Sequence, residues 1–215
     1  SSAASDVYKR QVYDLQDVGV RFYTYISTLE YCMEACAQIH KQFMVLDRPN
    51  PNGFYVDGPV LEKESRSFVG MQQVPVIYGM TAGEYAQMLK GERWFDSAAE
   101  LDLRVIKCIN YTHKKKYKLP VAPSPNLRTM AAVYAYPSLC MFEGKPVSVG
   151  RGTDLPFQQY GCPEFEGAFS HSFTPHSMIG AKSPPYDNKQ CYGELIGRNE
   201  EEVLARTKGQ FRLTW

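Results

Sequence analysis

The stretch VYDLQDVGVRFYTYISTLEYCMEACAQIHKQFMVLD, Val12 to Asp47, decides the fold. Its first residues read as the end of a buried strand that enters a polar turn around Asp14 to Gly19. After Gly19 a helical period sets in. Tyr25, Leu29, Cys32, Cys36 and Ile39 recur at steps of four and three, while Glu30, Glu34, Gln38 and Lys41 fall opposite. That pattern predicts a core-facing amphipathic helix of about four turns. FMVL follows at once, a short continuous apolar run closed by Asp47, which suits a parallel strand buried on both faces. Strand, helix and strand at this spacing make a βαβ unit, right-handed by default.

Outward from this unit, DRPNPNGFYVDGP is dense in turn formers and predicts a long, stiff loop. In TAGEYAQMLKGE, Thr81 and Glu84 have the spacing of a capping box, with Gly91 as the stop. LRVIKCIN, Leu103 to Asn110, reads as another buried strand. LPVAPSPN then forms a proline-rich loop ending in Asn126, before a helix expected to begin near Arg128 and stop before Pro137. Past that point glycine, proline and short apolar pieces dominate, a texture more α+β than βαβ. The expected division is therefore 12–138 for an α/β domain and 139–215 for the start of a smaller α+β domain. SSAASDVYKRQ at the front has neither core pattern nor caps, and EEVLARTKGQFRLTW begins a helix with no C-cap before Trp215. Both ends are expected to be truncations, with residues 1–11 a non-native leader.

Composition excludes several classes. Twenty-four Lys and Arg nearly balance 23 Asp and Glu, so net charge gives no footprint for nucleic acid or an anionic membrane. The one basic run, HKKKYK at 113–118, is too short to track a phosphate backbone and reads as a solvated loop. No apolar run approaches the roughly 18 residues of a membrane helix, and no signal peptide opens the sequence. The six cysteines contain no C-x-x-C pair, which argues against a zinc ribbon or a thioredoxin-type site, and no metal or cofactor is expected. Cys32 and Cys36 read as small core residues on one helix face.

In an open α/β sheet, ligands bind beyond the carboxyl ends of the strands. Polar residues collect in such loops here: Asp14, Gln16, Asp17 and Arg21 after the first strand, Asp47, Arg48 and Asn50 after the second, and Asn110 after the third. Each has a bland alternative, an Asp capping its turn or Arg21 pairing with Asp17. In the second region, FEGKPVSVGRGTDLPF contributes Glu143, Arg151, Thr153 and Asp154, with glycines on both sides of Arg151. No phosphate loop, dinucleotide fingerprint, H-E-x-x-H or G-x-S-x-G motif occurs. A nucleotide-dependent oxidoreductase therefore loses its support. What remains, carboxylates, arginines and many tyrosines, is the chemistry of acidic-sugar recognition, because aromatic faces stack on sugar rings and arginine forks grip carboxylates.

Specific strings sharpen this. YDLQDVGVRFYTYIS, VLDRPNPNG, GPVLEKESRSFVG, VPVIYGMTAGEYAQM, APSPN and CMFEGKPVSVGRGTDLPF occur in this order, and the sequence from Val12 to Trp215 resembles the NamZ-type exo-β-N-acetylmuramidases, a family once known only as a domain of unknown function. The resemblance implies a Rossmann-like, mostly parallel N-terminal domain, a smaller α+β domain, and an active site in the cleft between them. It also implies removal of N-acetylmuramic acid from the non-reducing ends of peptidoglycan fragments, in the periplasm or outside a bacterial cell. Under it, Asp14, Asp17 and Glu143 are the candidate catalytic carboxylates. Arg21, Tyr23, Arg48, Asn50, Asn126, Arg151 and Thr153 are the candidate substrate binders, with Arg21, Arg48 or Arg151 facing the lactyl carboxylate. The family's Pro-Glu-His-Gly motif has no counterpart in this sequence, so a general acid residing there would be missing. The alternative is a non-catalytic cell-wall sugar-binding protein on the same fold.

Overall fold

The computed structural model describes residues 10–208; most of the expected leader and the residues after Lys208 lie outside them. The chain splits into two compact units, Ser1–Tyr117 and Lys118–Trp215.

In the first unit, β1 (Arg10–Tyr13), β2 (Gln42–Leu46) and β3 (Leu103–Ile106) form a parallel sheet in that order. Helix α1 (Tyr25–Gln38) joins β1 to β2, and α2 (Ala82–Gly91) lies between β2 and β3, so the βαβ reading of the opening stretch holds. Tyr13, Phe43 and Val45 pack with Leu29, Met33 and Ala37 of α1 and with Tyr85, Ala86 and Leu89 of α2. Register aligns Tyr13 with Val45 and Val45 with Val105, which lines up the apolar row that these helices cover.

Several expectations need correction. The buried stripe of α1 is Ile26, Leu29, Met33, Cys36 and Ala37, rotated from the expected one. Ile39 falls just past the last turn and is 53% exposed, whereas Glu30, expected to face solvent, is 2% exposed. Its carboxyl accepts a 2.5 Å hydrogen bond from Gln72 Nε2, and the ring of the long loop residue Phe68 stacks on Tyr31 next to it. The loop covers a face that in an isolated amphipathic helix would be wet. Strands β2 and β3 are not buried on both faces. Phe43 and Val45 are buried while Arg104 and Ile106 are exposed, since α1 and α2 both pack on the face that carries Tyr13, Phe43 and Val45.

The capping box is present as expected. Thr81 Oγ1 accepts from Glu84 N, and the Glu84 carboxylate accepts from Thr81 N at 2.9 Å.

In the second unit, α3 (Met130–Leu139) and α4 (Glu200–Thr207) pack together beside an antiparallel sheet of β4 (Gln159–Cys162), β6 (Cys191–Leu195) and β5 (His171–Phe173). Gly161 and Gly193 sit opposite one another, where a Cβ on either would come within 2.2 Å of a backbone oxygen. The α3 helix does not stop before Pro137 but runs through it to Leu139. Proline removes one helical hydrogen bond, yet all ten residues of α3 are buried, and packing on that scale outweighs one lost bond. Helix α3 packs with α4 inside the second compact unit, whereas the division expected from composition lies near Ser138. The last helix also ends sooner than expected. Asn199 caps its start, and Lys208, at φ 52°, closes its end by donating to the Leu204 carbonyl.

Among the described residues no helix is long and apolar enough to cross a membrane.

Candidate functional site

The carboxyl ends of β1 and β2 bring Asp14 and Arg48 together. Arg48 Nε donates to Asp14 Oδ1 at 2.7 Å, and both side chains are a little under half exposed. This bond holds the guanidinium further toward its charged form than usual. Asp14 directly follows Tyr13, and Arg48 lies three residues past Val45, the register partner of Tyr13, so the two loops leave the parallel sheet side by side.

Asp17, Arg21 and Asn50 are placed differently, inside the bundle of loops. Asp17 is 5% exposed. Its Oδ2 accepts from Gly19 N at 2.6 Å and from the Tyr78 hydroxyl, while Oδ1 has no hydrogen-bond partner among the described residues. Burial pushes its carboxyl up to about 6, against the opposing effect of those hydrogen bonds. Arg21 does not pair with Asp17 but donates to the carbonyls of Pro59 and Val74, lacing the long loop to the turn after β1. Burial lowers the affinity of this guanidinium for its proton. Asn50, 2% exposed, donates to the Met80 carbonyl at 2.8 Å and accepts from Asn52 N at 2.8 Å. The tyrosine hydroxyl of residue 111 donates to its backbone carbonyl at 3.0 Å. Tyr23 is half-buried, its ring 4.7 Å from that of Tyr25.

At the start of α2, Asp47 collects a second set of donors: Gly83 N at 2.8 Å, Thr81 Oγ1 at 2.7 Å and Arg48 N at 3.0 Å. A carboxylate there also meets the positive end of the helix dipole. Cys108, which donates to the Asp47 carbonyl, has its thiol pushed by burial up to about 11, too high for a nucleophile.

In the second unit, Glu143 and Arg151 form an ion pair. Arg151 donates to Glu143 Oε1 from Nε at 2.8 Å and from its terminal nitrogen at 2.7 Å, with its guanidinium 4.9 Å over the Phe157 ring. Each side chain is about one-third exposed. Thr153 is a turn-former: its hydroxyl donates to the Gly150 carbonyl at 2.7 Å and accepts from Leu155 N and Gln159 Nε2, while its carbonyl accepts from Arg128. Asn126, 8% exposed, donates to the Gly180 carbonyl at 2.9 Å. A cavity of about 620 Å³ in this unit, bounded by Lys118, Arg128, Thr129, Arg198 and Glu200, contains none of the candidate residues.

The structure thus brings together two exposed acid–base pairs, Asp14 with Arg48 and Glu143 with Arg151, one in each unit. It withdraws Asp17, Arg21 and Asn50 into internal bracing. Tyr78, Asn52 and the His113–Glu84 pair, none foreseen, share that bracing. Asn52 donates to the Val18 carbonyl at 2.9 Å, and His113 lies 3.0 Å from Glu84. No sequence pattern marked any of these contacts.

Both units match one family. The N-terminal model of the exo-β-N-acetylmuramidase NamZ covers residues 7–131, and the C-terminal model covers residues 134–214. The chain belongs to the NamZ family. It is 45% identical over 212 residues to the peptidoglycan β-N-acetylmuramidase NamZ of Bacillus subtilis (strain 168), an alignment covering 92% of this chain and 50% of that protein. Two crystal structures of DUF1343 family proteins from Bacteroides fragilis NCTC 9343 share its fold. One is 48% identical with a TM-score of 0.92, covering 99% of this chain and 60% of the other; the second is 27% identical with a TM-score of 0.78, covering 92% and 59%. The chain therefore spans about half to three-fifths of the length of these NamZ-family relatives. The Rossmann-like parallel sheet followed by a smaller α+β unit agrees with the expected fold class.

Proposed function

We propose that this chain is the portion of an exo-β-N-acetylmuramidase that binds the muramic acid residue at the non-reducing end of a peptidoglycan fragment. The observation that carries the reading is the 45% identity to a peptidoglycan β-N-acetylmuramidase, which extends through both units of the chain. The geometry fits a charged sugar. Arg48 and Arg151 are solvent-accessible guanidiniums, each oriented by a carboxylate, and either can offer its remaining N–H donors to the lactyl carboxylate of muramic acid. Arg21, already committed to two carbonyls, is the weakest of the three candidates.

Glycoside hydrolysis needs two carboxyl groups flanking the scissile bond. Asp14 in the first unit and Glu143 in the second are each an accessible candidate for one such carboxyl, and Asp17 is set aside by its burial. A second reading, binding without cleavage, is favoured by one observation: both accessible carboxylates are engaged by arginines. With peptidoglycan as substrate, the proposed site of action is the periplasm or the cell surface, in cell-wall turnover.

The test is incubation of the chain with a chromogenic β-N-acetylmuramic acid glycoside and its N-acetylglucosamine counterpart. Release from the first alone supports the enzyme. Thermal stabilisation by N-acetylmuramic acid without release supports the binder, and neither effect refutes both.

A further inference from the structure

His113 follows β3, and its two ring nitrogens meet two other segments. Nε2 lies 3.0 Å from Glu84 Oε1 in the first turn of α2, and Nδ1 lies 3.3 Å from the Gly53 carbonyl in the loop after β2. Both partners are acceptors. A neutral imidazole has one N–H and can satisfy only one of them, whereas the imidazolium donates to both.

We propose that His113 is a positioning residue that, as the imidazolium, clips the loop after β3 to α2 and to the DRPNPNG loop, and so holds the wall of the pocket these segments share. That pocket, about 490 Å³, is bounded by Phe54, Tyr55, Tyr78, Met80, Glu84 and His113. Phe54 and Tyr55 directly follow the carbonyl that His113 engages, and their rings are 4.8 Å apart. Releasing the clip frees this aromatic wall.

The groups around the imidazole favour its charge on balance. From α2 comes the Glu84 carboxylate, and from the long loop come the carbonyls of Gly53 and Gly79. Asp47 stands at the same helix start, bonded to Thr81 and Gly83. From the histidine's own loop, Tyr111 meets the imidazole edge-on at 5.8 Å and Lys116 holds its ammonium 5.3 Å over the Phe54 ring, while partial burial of the imidazole opposes its charge. The hydrogen bond that His113 donates to Glu84 leads in raising the affinity of the imidazole for its proton above the ordinary histidine value. With a raised folded value, the clip is fully present below the ordinary histidine range and is lost as pH rises through the folded value.

The experiment is an NMR titration of the His113 ring in the whole chain, with amide exchange at Phe54 and Tyr55 followed over the same range and corrected for its intrinsic pH dependence. The ring should titrate above 6.5, and exchange at the two amides should rise about threefold across that midpoint, the scale of a half-exposed ion pair. His113→Gln has one donating nitrogen that does not titrate and, like the neutral imidazole, cannot donate to both acceptors, so it should remove the step and leave exchange at the fast, high-pH level. Glu84→Gln should lower the midpoint of the ring. A midpoint at or below 6.5, or an exchange step that persists in His113→Gln, overturns the proposal.

Discussion

Gly19 adopts φ +76°, and a Cβ there would sit 2.1 Å from the Asn50 side-chain oxygen. The turn after β1 therefore requires glycine twice over, for its backbone angle and for the space that Asn50 occupies. Gly19→Ala should destabilise the fold by roughly 3 kcal/mol, measured by urea denaturation. Asp17 beside it carries a pH dependence. Its folded value of about 6 lies above the ordinary 3.8, so the folded state binds the proton more tightly and stability is lost as pH rises between those values, levelling off above them. Asp17→Asn should abolish that slope in melts taken from pH 4 to 7; an unchanged slope would assign it to another group. At Arg48, replacement by Ala should weaken binding of N-acetylmuramic acid more than of N-acetylglucosamine, by about tenfold in Kd, the worth of one charge-assisted hydrogen bond. Equal losses for the two sugars would separate Arg48 from the carboxylate. Letters identified these residues as polar and loop-borne. They did not reveal that Asp14 and Arg48 stay accessible while Asp17 and Arg21 turn inward, because exposure depends on the loop segment 57–77 that folds back over them.

At the scale of elements, local signals succeeded where a side chain acts on its own backbone. The Thr81–Glu84 capping box is fully made because both partners lie within one turn. Signals failed where packing overrides propensity. Pro137 lies inside α3, whose residues are all buried. Pro137→Ala should be tolerated or stabilising by up to about 1 kcal/mol, since it restores a donor in a helix interior, with the sign read from the shift in Tm. The rotated stripe of α1 has a similar origin. Glu30 is buried where Gln72 donates to its carboxyl and Arg66 lies 4.0 Å away, and burial raises the affinity of its carboxyl for a proton. Periodicity, which scores Glu30 by its charge, has no access to partners forty residues away.

At the scale of the whole molecule, the six cysteines are all free thiols. Burial pushes those of Cys108 and Cys191 up to about 11 and that of Cys140 up to about 12, so few thiolates form near neutral pH. Maleimide should label Cys162 and Cys191 slowly in the native protein, and all six cysteines should react after denaturation; mass spectrometry of the labelled chain distinguishes the states. Rapid native labelling of Cys191, which is fully buried, would contradict the packing of β6. The division into units also belongs to this scale. Helix α3 joins the second compact unit through its packing against α4.

By itself the sequence determined the parallel βαβ unit, the capping box of α2, the α+β character of the second unit and the family, because each is written in contiguous residues. Hydrophobic period, cap spacing and long shared strings need no tertiary information to read. Only the tertiary structure decided which carboxylates and arginines remain open to solvent, which histidine clips the loops together, and where one unit ends. Those outcomes depend on contacts between segments tens of residues apart, and burial and hydrogen-bond geometry exist only once the chain has folded back on itself.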